Sequence, residues 1–177
     1  VKNFRIDFSG KIRKNEQSAW MPFSSEQYNF MGATTRLFFM KAVMKGLPVT
    51  GFHCFKNGNA YMDIRLFSLF KVQYLTGKEM GIAETVTFFN DMCCMAPATL
   101  IDKRIKWLGS DNNSANAEFS NNGITISARL LREVDGYRLA TSAEAVYTYP
   151  EGDLCYGTFS LKHITYNNGA PVLNCME

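Results

Sequence analysis

The chain lacks a run of about 20 apolar residues, the length a membrane-spanning helix needs. It also lacks the basic, apolar and small-residue succession of a signal peptide. Because it opens at Val1 rather than Met, the latter says nothing of what precedes it. Glycine-rich phosphate loops of the GxGxxG or P-loop kind are missing, so no nucleotide chemistry is implied. Histidine is scarce: His53 and His163 are the only two. Neither belongs to a Gly-x-Ser-x-Gly elbow, and neither stands at a zinc-finger interval from a cysteine pair. No CxxC spacing occurs. The residues therefore offer no catalytic set, no metal-ligating set and no cofactor motif. The net charge of +3 is small, and Lys and Arg are scattered. A nucleic-acid surface needs a clustered basic patch, so that class of partner is excluded.

What is present is a globular composition rich in aromatics. Hydrophobic residues make up 46% of 177 residues, enough for one large core, and a single domain over 1–177 is the simplest organisation. Fourteen Phe, eight Tyr and nine Met favour strands and either a bulky core or a pocket lining. The five cysteines, Cys54, Cys93, Cys94, Cys155 and Cys175, are odd in number, and two are adjacent. They read as small buried hydrophobes in a reducing environment.

Most of the chain alternates apolar and polar residues with period two, as strands do. Phe4, Ile6, Phe8 and Ile12 share one face of an opening strand. Pro22 marks Trp20 to Phe23 as an edge or loop end, and Ser24 to Phe30 reads as a connector or one helical turn. Strands follow over Thr34–Val43, Val49–Phe55, Tyr61–Leu66 and Leu69–Leu75, with Asn57-Gly58-Asn59 a hairpin signal. The rhythm then breaks. Gly77 to Met95 has helical spacing, with Ile82, Val86, Phe89, Cys93 and Ala96 on one face. Thr76 is a candidate N-cap with Glu79 three residues on, and Pro97 ends the helix or opens a further turn. Beyond it, Ile105 and Trp107 share a strand face, and Asn121-Asn122-Gly123 joins Ala115–Phe119 to Ile124–Leu130. Val134 to Tyr137 is a further turn, and Glu144–Tyr149 pairs with Leu154–Tyr166. The fold class is mostly β (α+β): a strongly curved antiparallel sheet or half-barrel of about ten strands, with one principal helix, about 77–95, in its concave face.

The helix carries a second apolar row, Phe88, Met92 and Met95, wider than one packing stripe requires. This makes a cavity between sheet and helix the candidate site. Its expected lining is Trp20, Phe88, Phe89, Met92 and Trp107, with Asp91 or Tyr28 orienting a polar head. Glu84 and Asp91, seven apart, share a helix face about 10 Å apart along the axis. A solvated outer face accounts for them, although a buried Asp91 would need a partner such as Arg65, Arg104 or Tyr61.

An ordered set of short pieces runs over most of the chain. It comprises Trp20-Met21-Pro22-Phe23 with Glu26-Gln27-Tyr28, Gly46-Leu47-Pro48-Val49, Asn90-Asp91-Met92 ahead of Pro97-Ala98-Thr99-Leu100, Trp107, and Asp135-Gly136-Tyr137-Arg138-Leu139 before Tyr156. In this the chain resembles an uncharacterised bacterial family of unknown function. The family usually has more residues between the Ile124–Leu130 strand and the Asp-Gly-Tyr turn, which implies that a segment is absent here. The resemblance implies a β-rich fold, for which the half-barrel of periplasmic lipoprotein carriers of the LolA and LppX type is the nearest analogy. It supplies no catalytic residue.

Three functions follow as expectations. The first is a non-enzymatic binding domain for a hydrophobic ligand, a lipid or lipidated molecule, in the sheet–helix cavity. The second is an enzyme using Asp91, Glu84 or a histidine in the same cleft, which a histidine and a carboxylate within hydrogen-bonding reach would favour. The third is an interaction domain with a filled core and an exposed apolar patch. Cysteine usage suits the cytoplasm and the carrier analogy suits the cell envelope. Nothing in the residues sets the oligomeric state.

Overall fold

The computed structural model describes residues 1–112, 114–131, 142–150 and 152–168. The turn expected at Val134–Tyr137, the Asp135–Leu139 motif and the tail after Asn168 lie outside them. The chain forms β1 (Asn3–Ile12), β2 (Met21–Phe30), β3 (Thr35–Met44), β4 (Leu47–Lys56), β5 (Asn59–Leu66), β6 (Phe70–Thr76), α1 (Lys78–Met95), a 3-10 turn (Pro97–Thr99), β7 (Ile105–Ser110), β8 (Ser114–Asn121), β9 (Ile124–Leu131), β10 (Ser142–Tyr149) and β11 (Gly152–Tyr166). Eight strands make one antiparallel sheet in the order β10-β11-β1-β2-β3-β4-β5-β6, and β7-β8-β9 make a second.

Short hairpins dictate the meander. Asn57-Gly58 and Asn122-Gly123 adopt positive φ at both residues, the turn chemistry that matches strand twist. Register then assigns the faces. Phe4 pairs with Asn29, Asn29 with Arg36, Arg36 with Phe55, and Phe55 with Ala60, so these five side chains share the inner face. Strand β2 is central, between β1 and β3, and runs through the stretch that sequence periodicity reads as a connector. Its inward residues are Phe23, Ser25, Gln27 and Asn29, all buried. Three are polar, so alternation of hydrophobicity conceals the strand. Pro22 is tolerated as its second residue.

Helix α1 crosses the inner face and also meets the small sheet. Phe88, Phe89 and Met92 are fully buried in the main core. Phe89 stacks on Phe119 of β8 with ring centres 5.2 Å apart, and Phe55 meets Phe88 edge-on at 6.2 Å. Gly81 lets the helix approach the β4–β5 hairpin, because a Cβ there would stand 3.0 Å from the Gly58 carbonyl oxygen. Arg104 ties the sheets together. It donates to the Thr34 hydroxyl and the Met31 carbonyl, pairs with Asp102 at 2.6 Å, and lies over the Phe119 ring.

Three local expectations change. The buried helix face runs through Gly81, Glu84, Thr85, Phe88, Phe89, Met92 and Met95; of the expected stripe Phe89 and Ala96 are buried, while Ile82 and Val86 are each 38% exposed. The face is rotated from the apolar stripe because an acidic residue belongs to it. Thr76 does not cap the helix. Gly77 occupies that position without a side-chain bond, and the Thr76 hydroxyl donates to the Ala60 carbonyl. Cys54, buried on β4, is disulfide-bonded, whereas Cys93, Cys94 and Cys155 are free. Cysteine spacing along a chain does not reveal which thiols the fold brings together.

Phe89 is fully buried and stacks on Phe119, so truncating it leaves a cavity the structure refills only in part. Phe89→Ala is expected to lose about 3–5 kcal/mol in urea denaturation. A loss below about 1 kcal/mol would show that the site is loosely packed.

Candidate functional site

Two places gather chemistry, one beneath the helix and one on the opposite face of the large sheet. Beneath the helix, the polar inner residues of β2 meet Arg36 of β3 and the two acids of α1. Arg36 donates from Nη1 to Glu84 Oε2 at 2.8 Å, from Nε to Asp91 Oδ2 at 3.2 Å and from Nη2 to Gln27 Oε1 at 2.8 Å. Gln27 and Asn29 donate their amides to the same Asp91 oxygen, at 2.7 and 2.9 Å. His53 of β4 completes the cluster with Nδ1 3.2 Å from Glu84 Oε1. Its ring meets Phe38 edge-on, and Phe38 also carries the Arg36 guanidinium over its face.

The two carboxyls respond oppositely to one environment. Burial pushes Glu84 up, but the adjacent Arg36 charge and the His53 contact outweigh it and hold the carboxyl at about 2. Burial also pushes Asp91 up. There it prevails over Arg36 and the two amides, and the carboxyl stays above its ordinary value. Isolated charges cannot be buried cheaply, so a cluster of this kind stands on completeness of pairing.

The expected partners of Asp91 are otherwise engaged. Arg65 pairs with Asp63 at 2.8 Å and Arg104 with Asp102. The actual partners come from β2 and β3, on the stretch misread as a connector and the strand after it. The solvated outer face expected for Glu84 is also corrected, since Glu84 is buried. The shared-face spacing of Glu84 and Asp91 is what allows one guanidinium to bridge both.

The other expected site residues separate. Phe88, Phe89 and Met92 come together in the main core. Trp20 lies at the start of β2, partly exposed beneath the Arg13 guanidinium. Trp107 is half-exposed on β7. Tyr28 faces the opposite side of the large sheet from Gln27 and Asn29, donating to Glu26 with Arg5 above its ring.

That opposite face holds a cavity of about 320 Å³ lined by Phe39, Lys41, Thr50, Phe52, Asp63, Arg65 and Ser68, floored by Met40 and Gly51. Phe39 and Phe52 stack with centres 4.6 Å apart, and Phe52, Tyr61 and Tyr74 continue the aromatic row. Gly51 contributes backbone to the floor; a Cβ there would point to the inner face and press the Met40 methyl at 3.2 Å. Asp63 Oδ1 is buried and receives no hydrogen bond from the described residues, while its Oδ2 accepts two from Arg65. The Arg65 hydrogen bond holds the Asp63 carboxyl below its ordinary value against the effect of burial. The pairing of Phe39 with Phe52, visible as two aromatics flanking the β3–β4 hairpin, is the signal that locates the cavity.

A family model described as a family of unknown function, DUF6544, matches residues 1–131. The chain belongs to the DUF6544 family. The match spans every element from β1 to β9, and therefore both the polar cluster and the outer-face cavity. Comparison with curated proteins and with solved structures yields no match.

Two outcomes test the polar cluster. Glu84 is held below its ordinary 4.5 at about 2, so its contribution is complete above pH 4.5 and is lost as pH falls toward 2. That loss is about 3 kcal/mol by linkage. Asp91 has the opposite sign, since its raised value means stability is lost as pH rises through it. Chemical denaturation of Glu84→Gln across the acid range should therefore show a flatter slope than the parent; an unchanged slope would remove Glu84 from the cluster. Arg36→Met leaves two acids uncompensated and is expected to cost about 3–5 kcal/mol at neutral pH, measured the same way.

Proposed function

We propose that this chain is a non-enzymatic binding domain for an amphiphilic ligand, a lipid or lipidated molecule, and that the ligand occupies the outer-face cavity. The observation that carries this reading is the buried Asp63 Oδ1, without a partner among the described residues, in a cavity whose walls are the stacked Phe39 and Phe52 rings. A buried acceptor without a donor is costly, and a ligand hydroxyl or ammonium would satisfy it. Lys41 and Arg65 on the lining suit an anionic group on the same ligand. The volume of about 320 Å³ is at the small end of ligand sites, enough for a headgroup and the first part of an acyl chain. The Cys54 disulfide suits an oxidising compartment, which agrees with the cell-envelope side of the carrier analogy. In that analogy the large sheet corresponds to the curved half-barrel wall.

The helix–sheet interface supports the reading less well, because Phe88, Phe89 and Met92 are enclosed there by core side chains. A second reading, acid–base catalysis, is favoured by the His53–Glu84 contact of 3.2 Å. Hydrolysis of an ester or glycoside panel, lost on His53→Gln, would replace the binding reading.

Native mass spectrometry followed by solvent extraction tests the binding directly, together with thermal shift against long-chain fatty acids and lysophospholipids. Wild type is expected to retain or be stabilised by such a ligand. Thr50→Trp, which fills the cavity, should abolish the shift, and Lys41→Glu should weaken binding about tenfold through loss of a charge-assisted contact. A clean apo mass with no shift across the panel would overturn the proposal.

A further inference from the structure

The antiparallel sheet sends four connections to the same end, β1–β2, β3–β4, β5–β6 and β10–β11, the last because Gly157 pairs with Ile12 and Gly152 with Tyr149. Ile12 pairs with Met21, Val43 with Pro48 and Leu66 with Phe70, and the Phe67 amide donates to the Pro48 carbonyl at 2.9 Å. The β1–β2, β3–β4 and β5–β6 connections therefore lie side by side. The β4–β5 connection at the other end is Asn57-Gly58, close to the Asn122 side chain of the small sheet.

The β3–β4 and β5–β6 tips carry exposed apolar residues where turns are ordinarily polar, while the β1–β2 connection is polar from Arg13 to Ser18 and ends in Ala19 and Trp20. Leu69 is 74% exposed and Phe70 65%. Val43, Met44, Leu47 and Phe67 are each more than two-fifths exposed beside them, with Trp20 at the start of β2. The β5–β6 turn carries a second, independent sign. Its central residues Phe67 and Ser68 have φ of 54° and 59°, left-handed values that favour Asn and Gly and that a bulky side chain rarely adopts. This chain uses Asn-Gly at Asn57-Gly58 and Asn122-Gly123. At the tip it places an aromatic in the same strained position, with its side chain 47% exposed; strain kept without burial is a sign of use outside the fold's core.

Charge selects the occupant. The three tips carry Arg13, Lys14, Lys45 and Lys71 against Glu16, with Asp153 at the start of β11 at the same end and Lys11 and Lys41 a short way up the strands. Exposed Trp, Phe, Leu and Met ringed by Lys and Arg match a bilayer interface with anionic headgroups, where apolar groups enter the acyl boundary and cations remain at the phosphates. We infer that the β1–β2, β3–β4 and β5–β6 tips dock this protein peripherally on an anionic membrane surface. Among the described residues no helix is long and apolar enough to cross a membrane, and the docking requires none. Ser68 and Lys41 line the outer-face cavity, so docking sets that cavity beside the lipid. The inference does not depend on the cavity being occupied, because its test reads the vesicle binding of protein stripped of ligand.

Co-sedimentation with phosphatidylcholine vesicles, with and without phosphatidylglycerol, gives the first readout. Wild type is expected to bind the anionic vesicles at least about tenfold better, and less well as salt rises. Leu69→Asp with Phe70→Asp should abolish binding, and Lys45→Glu with Lys71→Glu should leave only the weak binding seen on neutral vesicles. Phe67→Asn guards against misfolding: it relaxes the turn, so it should raise Tm while weakening vesicle binding. In a Trp107→Phe background, Trp20 emission should shift to the blue on anionic vesicles. Failure of wild type to sediment with either vesicle, or binding unchanged in Phe67→Asn and in the double Asp variant, would overturn the inference. So would a stable dimer in light scattering that the same variants dissociate, since a second copy would then be the occupant.

Discussion

Arg36 holds this structure together at the point where its two kinds of secondary structure meet. Among the described residues it is the one buried cation, and it spends its donors on Glu84 and Asp91 of the helix and Gln27 of the neighbouring strand. An apolar helix face can slide on an apolar sheet at little cost. A guanidinium bridging two acids seven residues apart sets both the rotation of α1 and its position across the strands. The dry core of Phe88, Phe89 and Met92 then packs beside a polar anchor, and the small sheet closes over Phe89 through Phe119.

The same anchor divides the molecule by function. One end of the large sheet is closed by the helix, the polar cluster and the Arg104 tie to the small sheet. The other end carries exposed apolar turns, and the outer face carries a cavity close to them. Interior pairing and exterior apolarity are thus kept at opposite ends, so the stable part of the fold does not compete with the surface offered outward. His53, at the rim of the cluster, is its most exposed member and joins the interior network through a 3.2 Å contact with Glu84.

Much of the segmentation was legible in the residues. The strand alternation, the Asn-Gly hairpins and the helix over about 77–95 all rest on periods and turn preferences that operate within ten or so residues. The misreadings have one cause. Ser24 to Phe30 looked like a connector because Ser25, Gln27 and Asn29 face the core, and the helix face looked rotated because Glu84 does too. A rule that equates inward with apolar fails wherever polar groups are buried as a mutually satisfied set. The cavity on the outer face is hidden for the complementary reason: its Phe39 and Phe52 walls are apolar side chains that face away from the core.

By itself the sequence determined that this is a β-rich chain with one central helix, tight polar hairpins, and neither a nucleotide loop nor a zinc motif. It did so because those properties are local. Tertiary structure alone decided that Arg36 would meet acids 48 and 55 residues away, that Asp63 Oδ1 would find no partner among the described residues, and that the exposed apolar residues of two turns would gather beside Trp20 at one end. Each of those outcomes depends on strand register. Register is settled by the summed pairing of the whole sheet, which no short window of residues contains.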